Sequence, residues 1–195
     1  MSEPARLLVV CTGNVCRSPY LERLLQAALD RSWGAGAVEV RSAGTGALVG
    51  HPMDPAVLDR LRSAGGEGDD FRARALTVDL VAPAQLVLTA TRDHRAAVVR
   101  LAPRALARTF TLLDLADLAR DLPDEALPAV GAARDRLAAV VPLVAARRGR
   151  RPPLPPQEAD LVDPFRRDAA VLDRMTGQVA GALPQVLRVL GDGGR

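Results

Sequence analysis

The chain has 195 residues and contains no lysine and no isoleucine, with a single asparagine, two cysteines and two histidines. Two cysteines cannot build a disulfide framework, and with the scattered His51 and His94 they give no zinc-ligand spacing, so no metal site is expected and both histidines read as surface residues. The absence of lysine excludes the nucleotide P-loop, GxxxxGK[ST]. Aromatic residues make up 3% of the chain, too few to offer stacking platforms for nucleic acid. No apolar run approaches the roughly 18 to 20 residues that cross a bilayer, so no membrane span is expected. An apolar fraction of 48% with 25% charged residues excludes disorder, and the length suits one domain over residues 1–195. Met1 to Arg6 is short and polar ahead of a five-residue apolar run, too brief for a signal-peptide core, so the cytoplasm is the expected location. All 26 positive charges are arginine, a coding preference that says little about partners, and the net charge of +3 supports only mild anion steering.

What is present is concentrated. Both cysteines, Cys11 and Cys16, and the lone asparagine, Asn14, fall within six residues, followed at once by Arg17. Leu7 to Val10 form a continuous apolar run ending at Cys11, as expected of a strand buried on both faces of a parallel sheet. Ser18 and Pro19 then read as N-cap and first residue of a helix whose apolar positions are Leu21, Leu24, Leu25 and Ala28, stopped by Gly34 and Gly36. Val38 to Ser42 is a second strand. Asp54 and Pro55 open a second helix through Leu58 and Leu61, ended by Gly65 and Gly66. Leu86 to Thr89 is a third strand, followed by a helix over about Arg92 to Leu101 that Pro103 ends, and Thr109 to Thr111 is a short fourth strand. This alternation predicts an α/β fold, a doubly wound four-stranded parallel sheet with helices on both faces. Beyond it, Pro123 to Ala146 reads as helical, with Leu127, Val130, Leu137, Val140, Val141 and Val144 as its apolar face. Arg147 to Pro156 reads as an exposed, solvated connector rather than a nucleic-acid surface, and Asp168 to Leu190 as a last helix with Leu172, Met175, Val179, Leu183, Val186 and Leu190 inward and a kink at Pro184.

A loop that leaves the carboxyl end of a buried strand and enters a helix N-terminus points successive N–H groups outward and makes an anion cradle. Gly13 permits positive φ, and Asn14 is the best non-glycine residue for a left-handed turn. Cys11 lies at the base of that curl, where the helix dipole and a guanidinium favour thiolate, so it reads as a nucleophile. Arg17 offers a planar fork for two phosphate oxygens. Ser18 serves as helix cap and as hydrogen-bond donor to the sulfur.

The stretch CTGNVCRSP, Cys11 to Pro19, resembles the signature loop of low-molecular-weight protein tyrosine phosphatases, with Cys and Arg separated by five residues and followed by Ser and Pro. Ser42 to Gly50 and Met53 to Pro55 resemble the family's second-strand exit and substrate-wall loop, and Val162 to Phe165 its late acid loop. The resemblance implies a phosphatase I-like fold and hydrolysis of phosphotyrosine through a phosphocysteine intermediate, without a cofactor. It implies Asp163 as general acid with Asp160 as the fallback, and a phosphate-binding loop of Thr12, Gly13, Asn14, Val15, Cys16 and Ser18. Ser42, Ala47, Leu48 and Phe165 fall to supporting or substrate-wall roles, and Cys16 either to a reversible disulfide with the nucleophile or to plain packing. GALVG is similar to bacterial members that act on capsule and exopolysaccharide tyrosine kinases, so the expected partner is a tyrosine-phosphorylated protein, such as a bacterial tyrosine kinase. Where the family carries a histidine supporting the loop asparagine, this chain has Phe71, so support for Asn14 is expected from elsewhere, with Ser42 the candidate. The segment from about 121 to 158 is longer than the family minimum.

Three other readings share the loop. Arsenate reduction needs further cysteines late in the chain, and none follows Cys16. Phosphoarginine hydrolysis goes with threonine at the position of Val15 in related bacterial enzymes. A noncatalytic phosphate-binding module would keep the cradle without a working acid.

Overall fold

The computed structural model describes residues 3–150 and 152–191. Met1, Ser2 and Arg151, which enter the N-terminal and arginine-proline readings, lie outside the described residues. The four expected strands form one parallel sheet: β1 (Ala5–Cys11), β2 (Val38–Gly44), β3 (Leu86–Thr89) and β4 (Thr109–Thr111), in the spatial order β2-β1-β3-β4. Side chains alternate along β1, so Leu7 and Val9 enter one buried cluster and Leu8 and Val10 another on the opposite face. The first cluster is closed by the long helices α1 (Arg17–Trp33) and α8 (Ala169–Leu190), and the second by Val81 of the one-turn α3 (Val78–Val81) and Val98 of α4 (Arg92–Leu101). Register places Cys11 beside Gly44, and Val10 beside Thr89. The chain leaves β1 towards β2 on one side and later fills β3 on the other. Loops after β1 and β3 therefore face each other at the carboxyl edge, the switch point where α/β sheets bind ligands.

Asp54 caps α2 (Pro55–Ser63) through the N–H groups of Ala56 and Val57, and Thr91 caps α4 through His94 N–H. Several expectations need correction. Helix α1 begins at Arg17 with Cys16 in the cap position, so Ser18 is already helical and its hydroxyl is used elsewhere. The segment from Pro123 does not become a regular helix until α6 (Ala133–Ala145), because Pro128 and Gly131 interrupt it, and only a single 3₁₀ turn spans Asp124–Ala126. A helix that the apolar pattern did not reveal, α5 (Leu112–Arg120), follows β4 with Thr111 as its cap. Pro184 lies inside α8 without ending it, and in that turn Ala182 is buried beside Leu183, which packs partly buried against the core.

The arginine-proline stretch is also less solvated than expected. The guanidinium of Arg148 lies 3.8 Å from the Phe110 ring centroid and donates to the carbonyls of Thr109, Leu106 and Ala107. It is a packing residue over the edge of β4. A further one-turn helix, α7 (Pro156–Ala159), ends the stretch.

Candidate active site

Residues 11 to 17 curl over the end of β1, and their orientation is set by the wall loop after β2. The carbonyls of Cys11, Thr12, Gly13 and Val15 accept from the backbone N–H groups of Thr45, Gly46, Leu48 and Asp54 at 2.9, 3.0, 3.0 and 2.9 Å. In a trans peptide the carbonyl and the following N–H point oppositely, and the described chain has no cis bond. The N–H groups of Thr12, Gly13, Asn14 and Cys16 are therefore turned away from the wall loop and into the curl, which is the cradle an oxyanion needs. The left-handed residue in that curl is Asn14, with φ of 55°, whereas Gly13 does not take positive φ. Close approach of the two loops depends on Gly44, since a Cβ there would stand 2.3 Å from Thr12 O.

Asn14 is buried beneath the loop and fully bonded. Its amide group donates to Ser18 Oγ at 2.9 Å and Ser42 Oγ at 2.8 Å, and its oxygen accepts from Arg74 N–H at 2.8 Å. Ser42 thus supplies the support expected of it, joined by the Arg74 backbone. Ser42 Oγ in turn donates to Glu22 Oε2 through a short contact. Glu22 is buried, and desolvation raises its carboxyl above the ordinary range, partly offset by Ser42, Arg74 and Arg23. Phe71 is fully buried, with the guanidiniums of Arg74 and Arg23 5.6 and 5.9 Å from its ring centroid. It is a core residue that cannot reach Asn14 with a polar atom.

Ser18 Oγ lies 2.9 Å from Cys11 Sγ. Arg17 is buried, donating through Nη2 to Asp163 Oδ2 at 2.8 Å and to Thr12 Oγ1 at 3.4 Å, and through Nη1 to Leu161 O at 3.5 Å. Asp163 is half exposed and also accepts from Phe165 N–H through Oδ1, so it is held in the mouth of the site. Cys11, Thr12, Gly13, Val15, Cys16, Arg17, Asp163, Leu48, Phe165 and Gly46 line a common cavity of about 160 Å³. Ala47 does not line it; its Cα and Cβ lie against Gly44, 3.0 Å from where a Cβ there would stand. Asp160 is engaged elsewhere, accepting from Arg92 N–H at 2.9 Å.

Cys16 is buried, and burial with nearby Asp54 and Cys11 pushes its thiol up to about 12, so it is a neutral side chain at working pH. Both cysteines are free thiols. His51 is exposed as expected, but His94 is not a surface residue: it is buried with one ring nitrogen 2.8 Å from Thr12 Oγ1 and the other 2.7 Å from Thr91 Oγ1. Among the described residues no group of three or more His, Cys, Asp or Glu side chains is arranged to hold a metal. None of the described helices is long and apolar enough to cross a membrane.

The model of the low molecular weight phosphotyrosine protein phosphatases matches residues 6–146. Over 104 residues the chain is 38% identical to the low molecular weight protein-tyrosine-phosphatase Etp of Escherichia coli K12, an alignment covering 53% of this chain and 66% of Etp, a little under two thirds of its length. It is 36% identical over 119 residues to Wzb of Salmonella typhi, covering 61% of this chain and 75% of Wzb. The crystal structure of the tyrosine phosphatase AmsI of Erwinia amylovora superposes with a TM-score of 0.67 at 23% identity, over 96% of this chain and 93% of that one, a likeness of fold. With the loop, the sheet order and the matched sequence in agreement, the chain belongs to the low molecular weight phosphotyrosine protein phosphatase family.

Proposed function

We propose that the protein is a cysteine-dependent phosphatase that hydrolyses phosphotyrosine in a protein substrate, such as a bacterial tyrosine kinase, in the cytoplasm. The observation that carries this reading is the position of Cys11 Sγ, held 2.9 Å from the Ser18 hydroxyl at the base of a loop whose amides are turned inward and whose far end is Arg17. Asn14 uses both of its amide protons on Ser18 and Ser42, so the Ser18 proton is left for the sulfur. That donation steadies the sulfur as an anion, both when it attacks phosphorus and when it leaves.

In the first step the thiolate attacks phosphorus in line with the tyrosyl oxygen. The P–O bond breaks as the Asp163 carboxyl gives its proton to the phenolic oxygen, yielding the dephosphorylated tyrosine residue of the substrate and phosphocysteine. In the second, Asp163 takes a proton from water as that water attacks phosphorus, the S–P bond breaks, and inorganic phosphate leaves with the thiolate restored. Arg17 holds two equatorial oxygens throughout with its planar fork. A phosphate dianion and Asp163 compete for the same Nη2, so substrate binding releases the carboxyl for its role as acid. Exposed Leu48 and Phe165 at the rim, each 38% accessible, give the phenyl ring an apolar wall. A mechanism built on an unoxidised cysteine fits a reducing compartment.

Steady-state hydrolysis of p-nitrophenyl phosphate is the direct test. Cys11→Ser is expected to abolish turnover, and Asp163→Asn to lower kcat by about 10²- to 10⁴-fold, the usual worth of a positioned general acid. A panel of phosphotyrosine, phosphoserine and phosphoarginine peptides sets the substrate class. Phosphoarginine turned over faster than phosphotyrosine, or phosphate bound without any turnover, would overturn the proposal.

A further inference from the structure

We propose that His94 is a positioning residue for the phosphate loop: its imidazole clasps Thr12, the residue after the nucleophile, to Thr91 across the switch point between β1 and β3. The proposal rests on the phosphate reading of that loop and adds to it a side chain from outside the matched signature. Thr12 is the exposed residue of an otherwise largely buried loop, and a threonine hydroxyl at such a position would ordinarily turn freely. Here it is held from two sides, by His94 at 2.8 Å and by Arg17 Nη2 at 3.4 Å. The imidazole is itself anchored by Thr91 Oγ1 at 2.7 Å, and Thr91 is the cap of α4, accepting also from His94 N–H at 3.3 Å.

A continuous line therefore runs from the start of α4 through His94, Thr12 and Arg17 to Asp163 Oδ2. It joins residues 82 positions apart in the chain, and it fixes both the first peptide of the cradle and the resting place of the guanidinium. A neutral imidazole suits the task, because one ring nitrogen donates while the other accepts, matching two hydroxyls. An imidazolium would instead present a second cation beside Arg17. The charged groups that face the ring are Arg17 from α1, Asp163 and Asp160 from the acid loop, and Asp93 from its own helix. Burial and Arg17 outweigh the three carboxylates and push the imidazole down to about 4, so the clasp is neutral through the working range.

The test is the competitive inhibition constant of inorganic phosphate against p-nitrophenyl phosphate. His94→Ala and Thr12→Val are each expected to weaken phosphate by about tenfold, the worth of one hydrogen bond that orients a charged group. The double variant is expected to be no weaker than Thr12→Val alone, because both changes remove the His94–Thr12 contact and Thr12→Val already removes the one to Arg17. His94→Gln places its amide at the depth of Nε2 and is expected to restore phosphate binding to within about threefold, while His94→Asn, shorter and reaching only Thr91, stays as weak as alanine. Thr12→Val changes an exposed residue and carries the test alone if His94→Ala does not fold. Single losses that multiply in the double variant, or equal behaviour of the Gln and Asn variants, would overturn the clasp. Wild type that binds phosphate no better than Thr12→Val would remove the clasp and leave the loop reading standing. Wild type that binds no phosphate would take down both.

Discussion

Ser18 Oγ stands 2.9 Å from Cys11 Sγ while accepting a proton from Asn14 Nδ2, so its own hydrogen has one good destination, the sulfur. Replacing Ser18 with alanine deletes that donor without touching Arg17 or the loop carbonyls. The expected result is a fall in kcat of about 10- to 100-fold with little change in phosphate affinity, the range for a hydrogen bond to a charged group. Rapid-quench kinetics should show phosphocysteine accumulating or forming slowly. Unchanged kcat would mean that the hydroxyl only packs.

The wall loop makes a sharper structural demand. Gly44 faces Thr12 O so closely that an added Cβ would lie 2.3 Å from a backbone atom, whereas a Cβ on Gly46 would meet only Thr12 Cγ2 at 3.9 Å. Gly44→Ala is therefore expected to destabilise the fold by about 1–3 kcal/mol, as overpacking does, and to lose activity by displacing the loop. Gly46→Ala should leave the urea midpoint where it was. Equal midpoints for the two variants would show that the wall loop yields freely.

How far these features were legible depends on the distance along the chain over which each is decided. The curl from Cys11 to Ser18 could be read because its parts are neighbours: one asparagine suited to left-handed backbone, one cysteine at a strand end, one arginine six positions on. The left-handed turn falls on Asn14, as its residue type suggests, and the freedom that Gly13 offers is not used. Helix α5 has no boundary mark in the sequence, because Thr111 is both the end of β4 and the helix cap and no glycine or proline separates the two. Helix α6 is shorter than the apolar pattern suggests, because Leu127 and Val130 keep helical spacing through a segment that Pro128 breaks. The His94–Thr12 and Arg148–Phe110 contacts had no local signal, since each pairs residues that only the folded sheet brings together.

Arg148 illustrates the last point and can be tested. Its guanidinium lies over the Phe110 ring and bonds three carbonyls, at the start of β4 and in the 3₁₀ turns before it. A solvated connector arginine would cost nothing to replace. Arg148→Ala is expected to lower stability by about 1–2 kcal/mol through the lost cation–π contact and unpaired carbonyls. Lysine cannot reproduce the planar stack and should recover only part of it. Thermal melts of the three proteins decide between packing and linker.

The two cysteines should differ in reactivity despite being five residues apart. Burial holds the Cys16 thiol at about 12, which leaves almost no thiolate at neutral pH. Cys11 sits in the cavity beside Arg17. Limited iodoacetamide treatment at pH 7.5, followed by peptide mass spectrometry, should find the label on Cys11, and Cys11→Ser should remain unlabelled. Phosphate in the reaction should protect Cys11. Label on Cys16 in the folded protein would mean that its pocket opens.

His94 also sets a pH dependence whose sign follows from its burial. The imidazole falls from 6.5 to about 4 on folding, so between those values the unfolded chain binds more protons than the folded one. Stability therefore drops as the pH falls from 6.5 towards 4, by an amount approaching about 3 kcal/mol at the acid end. Glu22 acts with the opposite sign, because its carboxyl is raised above 4.5 in the fold, so its ionisation disfavours the fold as the pH rises. Comparing wild type with His94→Gln cancels the Glu22 contribution, since both proteins carry it. Urea unfolding at a series of pH values from 4.5 to 7 should give a difference between the two that moves against wild type as the solution is acidified. A difference independent of pH would show that the imidazole titrates alike in the folded and unfolded chain, and that the bonds to Thr12 and Thr91 do not depend on its neutral form.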